Sequence, residues 1–180
     1  MTRRAIIALL LAGSLGTGMI ACGSDDDAPG GDSSTTVTGP QRSVDNVDVS
    51  DPTNVKEKPS VAVPDGKPPK RLEKKDLVPG TGDAAGSDDK ITVDYVGLSW
   101  STGQEFDASW DRGDTIDVTL GAGSVIPGWD TGLVGVKKGT RRILVIPPGQ
   151  AYGAQGSPPA IGANETLVFV IDVRKVTPKA

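Results

Sequence analysis

Beyond about residue 71 of this 180-residue chain, apolar positions fall into short, regular runs separated by Gly and Pro. Ile91, Val93 and Tyr95 alternate with Thr92 and Asp94, the period of two that marks a strand with one buried face. Ile116, Val118 and Leu120 alternate with Thr115, Asp117 and Thr119 in the same way. Ile143 to Ile146 is a short apolar run stopped by Pro147-Pro148-Gly149. Leu167 to Val173 is apolar on both faces up to Asp172, as a central strand would be. Between the second and third runs lies Ser124-Val125-Ile126-Pro127-Gly128-Trp129-Asp130-Thr131-Gly132-Leu133. Ser124 suits a helix cap, Pro127 suits a first turn, and Trp129 and Leu133, four apart, would face the sheet. The pattern predicts an α+β domain: a curved antiparallel sheet with one short helix laid across it.

The N-terminus reads differently. Arg3 and Arg4 precede an apolar run from Ala5 to Ile20, interrupted by Gly13, Ser14, Gly16 and Gly18. It falls short of the roughly 20 apolar residues of a spanning helix and has the layout of a signal peptide. Its end, Met19-Ile20-Ala21-Cys22-Gly23, resembles the lipobox of bacterial lipoproteins, with Met19 where that motif usually carries Leu. The resemblance implies cleavage before Cys22, a lipid on its sulfur and an extracytoplasmic, membrane-anchored protein. From Gly23 to Ser60, 25 of 38 residues are Gly, Ser, Thr, Pro or Asp, and eight acidic residues face three basic ones. Such a composition predicts a disordered tether, reaching about 40 Å at 5–6 Å per root residue. Asp25-Asp26-Asp27 lies on it as solvated charge, since adjacent side chains on a flexible chain do not converge on a metal. The expected organisation is therefore a signal peptide over 1–21, a tether over 22–70 and a folded domain over 71–180.

Composition narrows the chemistry. There is no histidine and one cysteine, which removes imidazole catalysis, internal disulfides and the usual zinc sites. A formal charge of −4 gives no global basic footprint, so no nucleic-acid partner is expected. All seven aromatic residues lie between Tyr95 and Phe169. Large apolar side chains are what offset the entropy of ordering a chain, so the core belongs in the C-terminal half.

Five short motifs stand there in series: Val93-Asp94-Tyr95-Val96-Gly97, Gln104-Glu105-Phe106-Asp107-Ala108-Ser109, Val125-Ile126-Pro127-Gly128-Trp129, Ala151-Tyr152-Gly153 and Thr166-Leu167-Val168-Phe169. Together they resemble the FKBP-type peptidyl-prolyl cis–trans isomerases, over about Leu77 to Val176. The resemblance implies a sheet of five or six antiparallel strands around a short helix. It also implies an enzyme that rotates Xaa-Pro amides without cofactor or metal, acting on proline-containing polypeptides and working as a monomer.

An Xaa-Pro amide rotates over a barrier of roughly 18–20 kcal/mol because twisting destroys amide resonance. The twisted amide has a smaller dipole and tolerates an apolar surrounding better than the planar one. A dry aromatic pocket thus favours the transition state differentially. Carried over from the family, Trp129 would floor the pocket, with Tyr95, Phe106, Ile116, Val125, Ile126 and Phe169 as walls. The Ile126 backbone N–H would donate to a substrate carbonyl, and Tyr152 would offer its hydroxyl at the rim. Asp107 would sit beside the twisting amide and pair with Arg112, holding Tyr95 in place, while Ile161 would close the far edge. Trp100 and Trp110 match no pocket position. Ile116 replaces the Phe of the best-known members, and Ser157, Pro159 and Ala160 occupy a loop that often carries His, Gly and Ile. Ala160 removes apolar reach over the substrate, which leaves macrolide inhibitors such as tacrolimus as an open expectation. A different class, a module that captures proline segments as a chaperone or adaptor with little catalysis, is the alternative to the enzyme.

Overall fold

The computed structural model describes residues 39–179. The signal peptide, Cys22 and the first part of the tether lie outside the described residues. The long strand β4 (Lys90–Ser99) pairs along its whole length with β8 (Leu167–Thr177). Its other edge is shared by two short strands, β6 (Ile116–Thr119) opposite Lys90–Val93 and β5 (Glu105–Ala108) opposite Val96–Leu98. β7 (Arg141–Ile146) pairs with β8, and β3 (Glu73–Val78) closes the far edge against β7. All these pairs are antiparallel, giving the six-stranded sheet in the order β3-β7-β8-β4-β5, with β6 beside β4.

Against one face lies the helix α2 (Pro127–Gly132). Pro127 stands in its first turn and Trp129 and Leu133 are buried on the sheet, as their spacing predicts. Ser124 does not cap it: Ile126 is the N-cap, without a side-chain hydrogen bond. Gly128 permits the close approach, since a Cβ there would stand 2.4 Å from Ile146. Under α2 the core contains Ile91, Val93, Val118, Leu120, Leu144, Ile146 and Ile171. A second helical element, absent from the sequence-based expectation, is the single turn α1 (Ser109–Arg112), ended by Gly113 at φ 65°.

The opposite face of the sheet corrects the expected tether. Residues 39–70 are not a disordered spacer over their described length. They form a strap with a 3-10 turn at Val44–Asn46 and a small hairpin of β1 (Asp48–Val49) and β2 (Val61–Ala62). Val44, Val47 and Val49 are buried with Val96, Leu98, Trp100, Ile143, Val145, Val168 and Val170 in a second core. Few apolar residues suffice because the strap is held largely by hydrogen bonds. Trp100 Nε1 donates to the Gly66 carbonyl at 2.9 Å, and Ser43 forms a capping box with Asn46. The folded unit therefore starts near residue 39 rather than at 71.

This second layer also explains why the alternation along β4 fails. Asp94, on the nominally polar face, is buried, pairs with Arg174 and accepts from Ser109 Oγ at 3.1 Å. Arg141 and Asp172, neighbours across β7 and β8, form a bidentate pair at 2.6 and 2.8 Å with side chains 0% and 3% exposed. The remaining guanidinium N–H groups of Arg141 reach the strap carbonyls of Glu57 at 3.0 Å and Asp51 at 3.4 Å.

Candidate active site

The pairing of β4 with β5 shifts register between Gly97 and Leu98, leaving Phe106 of β5 as the extra, unpaired residue. Gly97 also vacates space: a Cβ there would lie 2.7 Å from the Phe106 ring and 2.8 Å from Phe169. Into this space β4 sends Tyr95, β5 sends Phe106 and Asp107, and β6 sends Ile116. The loop entering α2 adds Ser124, Val125 and Ile126; α2 adds Trp129, β8 adds Phe169 and the loop after β7 adds Tyr152. The result is an open pocket of about 200 Å³.

Its floor is aromatic and edge-on. Trp129 meets Tyr95 at 5.3 Å between ring centroids and Phe169 at 5.2 Å, with interplanar angles of 83° and 89°. Phe106 meets Phe169 at 5.7 Å and 86°. Edge-to-face pairs of this kind fix ring orientation beyond what burial alone supplies. The Trp129 indole N–H is buried and has no hydrogen-bond partner among the described residues.

The rim is polar on one side. The Tyr95 hydroxyl donates to Asp107, whose carboxylate also receives Arg112 Nη1, while Arg112 Nη2 donates to the Tyr95 hydroxyl at 2.9 Å. Arg112 reaches back because α1 is one turn long. Its first residue, Ser109, accepts the Tyr95 backbone N–H at 2.9 Å and ties α1 to β4. Burial acts to raise the Asp107 pKa, but hydrogen bonds from Tyr95 and Arg112 outweigh it and hold the carboxyl below the usual 3.8. Burial and the hydrogen bond to Asp107 push the Tyr95 phenol above its usual 10.0. On the other side, Asp130 on α2 accepts the backbone N–H groups of Gly121 at 2.9 Å and Gly123 at 3.1 Å, fastening the loop that carries Val125 and Ile126.

Of the residues named from the sequence, Tyr95, Phe106, Asp107, Ile116, Val125, Ile126, Trp129, Tyr152 and Phe169 line the pocket. Arg112 touches it only through Asp107 and Tyr95. Ile161 is not among the lining residues; it is 4% exposed and belongs to the same core cluster as Tyr95, Trp129 and Phe169. Ser124, read as a helix cap, is a lining residue instead, and Asp130 drew no notice in the sequence because an acidic residue in a first helical turn is ordinary. Among the described residues no group of three or more Cys, Asp or Glu side chains could hold a metal.

Fold and site together define a six-stranded antiparallel sheet packed on a short helix, with an indole-floored aromatic pocket beside a carboxylate held by Tyr95 and Arg112. The family model described as FKBP-type peptidyl-prolyl cis-trans isomerase matches residues 82–174. An FK506-binding protein of Streptomyces anulatus is 49% identical over 118 residues, covering 65% of this chain and 95% of that protein. A probable FK506-binding protein of Corynebacterium glutamicum is 44% identical over 117 residues, covering 65% and 97%. Among solved structures, FkpA from Escherichia coli superposes with a TM-score of 0.54 at 41% identity, over 59% of this chain and 48% of that one. The chain belongs to the FKBP-type peptidyl-prolyl cis–trans isomerase family and is an enzyme of that class.

Proposed function

We propose that the pocket isomerises Xaa-Pro bonds in exported polypeptides by desolvation, with no covalent or proton-transfer step. The observation that carries this reading is the pairing of an edge-on aromatic floor with a carboxylate, Asp107, already committed by hydrogen bonds to Tyr95 and Arg112. The proline ring rests on Trp129, and the walls of Phe106, Ile116, Val125 and Phe169 strip water from the amide. The Ile126 backbone N–H, which donates to no described residue, donates to a substrate carbonyl. Asp107, oriented by Arg112 and Tyr95, sits beside the twisting amide, and Tyr152, 42% exposed, offers its hydroxyl from the rim. A planar amide loses more solvation in such a place than a twisted one, which lowers the barrier to rotation.

A protease-coupled assay on an Xaa-Pro peptide tests this directly. Wild type accelerates isomerisation and a folded Trp129→Leu variant loses most of that acceleration. Wild-type turnover by Trp129→Leu would remove the indole from the site. The location of the clients follows from the N-terminal motif: a lipid on Cys22 holds the enzyme at a bacterial membrane on its extracytoplasmic side. Growth with radioactive palmitate labels the wild-type chain and leaves Cys22→Ser unlabelled; label on Cys22→Ser would defeat the anchor.

A further inference from the structure

The strap precedes the residues that the family model matches, yet it grips the elements that build the pocket rim. The Lys58 ammonium lies 2.8 Å from Glu105 Oε1 and 2.7 and 2.8 Å from the two Asp111 oxygens. Glu105 opens β5, directly ahead of Phe106 and Asp107, and Asp111 precedes Arg112 in α1. Lys58 thus bridges the same two elements that the Asp107–Arg112 pair bridges from the pocket side. Partial burial opposes its charge, but the two carboxylates prevail and hold the ammonium's pKa above the usual 10.5.

The strap around Lys58 is itself fixed. Arg174 Nη1 donates to the Val55 carbonyl at 2.6 Å and Arg141 Nη2 to the Glu57 carbonyl at 3.0 Å. Arg174 also pairs with Asp94, which accepts from Ser109, so the same strap steadies both ends of α1. Its guanidinium lies over the Trp110 ring of that turn, 4.9 Å from the centroid. An ammonium held by a mobile segment would position nothing; one held by a segment bonded to the buried Arg141 and the part-buried Arg174 can.

We propose that Lys58 is a positioning residue for the isomerase, acting through Glu105 and Asp111 to keep Asp107 and Arg112 in register at the rim. The inference rests on the reading of Asp107 and Arg112 as parts of the site. A double-mutant cycle on the full chain tests it, reading kcat and KM on an Xaa-Pro peptide well below the melting temperature. Lys58→Met lowers kcat/KM about three- to fivefold, the upper end for an exposed ion pair, chiefly through kcat. Lys58→Arg restores it. In an Arg112→Leu background, already impaired, Lys58→Met adds no further loss, because the positioned group is gone. If Lys58→Met does not fold, Lys58→Gln enters the same cycle. Unchanged kinetics in the Lys58 variant beside an impaired Arg112→Leu would overturn the inference alone, as would a fully additive double variant. An unimpaired Arg112→Leu would instead bring down the reading of the rim, and the inference with it.

Discussion

Trp129 and Phe169 are both buried and both edge-on to Tyr95 or to each other, but they differ in what else they support. Trp129 projects from a six-residue helix, whereas Phe169 sits near the start of β8, paired on both sides, opposite Gly97 and Leu144. Phe169→Ala should therefore cost about 3–5 kcal/mol in a denaturation series as well as activity, through the cavity it leaves. Asp107 makes a different prediction. Its pKa is lowered in the folded state, so its contribution to stability is present above the unfolded value near 3.8 and fades as pH falls through the folded one. Tyr95, raised above 10.0, contributes fully below that value and loses the contribution as pH rises through its folded pKa. Melting curves of wild type and Asp107→Asn should thus differ by a constant amount between about pH 5 and 9 and converge below about pH 4. Continued separation in acid would mean that the carboxylate is not held by charge.

At the scale of elements, the strap holds the clearest test. It satisfies guanidinium groups that the sheet buries, and breaking a buried ion pair by removing one partner costs about 3–5 kcal/mol. Arg141→Met should lose stability of that order by leaving Asp172 buried and unpaired, while the double variant Arg141→Met, Asp172→Leu should recover much of it; a neutral Arg141→Met would show that the pair contributes nothing. The strap is also where sequence and structure part. Strands β4, β6, β7 and β8 and helix α2 were legible because apolar periodicity and Gly/Pro punctuation record burial, on the α2 side for the alternating runs of β4 and β6 and on both faces for β7 and β8. The strap was not, because its Gly-, Pro-, Ser- and Asp-rich composition is that of a free linker, and its hold depends on backbone carbonyls that carry no side-chain signal. A hint was present in the sequence: charged Arg141, Asp172 and Asp94 inside otherwise apolar strands need buried partners or a polar cover. Eight pocket residues stand in the short motifs and Ile116 in the alternating run of β6, whereas Ile161, expected at the far edge, lies in no motif and is not among the lining residues.

At the scale of the molecule, one sheet carries two faces with separate duties. The α2 face forms the pocket, and the strap face holds the strands and the rim elements from behind. No helix among the described residues is long and apolar enough to cross a membrane. The central claim remains the pocket's chemistry: rotation by desolvation, with no proton exchanged with substrate. The measurement that bears on it most directly is kcat/KM for an Xaa-Pro peptide across about pH 6 to 9, in wild type and Asp107→Asn. With Asp107 titrating below 3.8 and Tyr95 above 10.0, both profiles should be flat, the variant lower by a modest constant factor. A slope of about one log unit per pH unit in wild type, absent from Asp107→Asn, would make Asp107 a proton carrier and contradict the account.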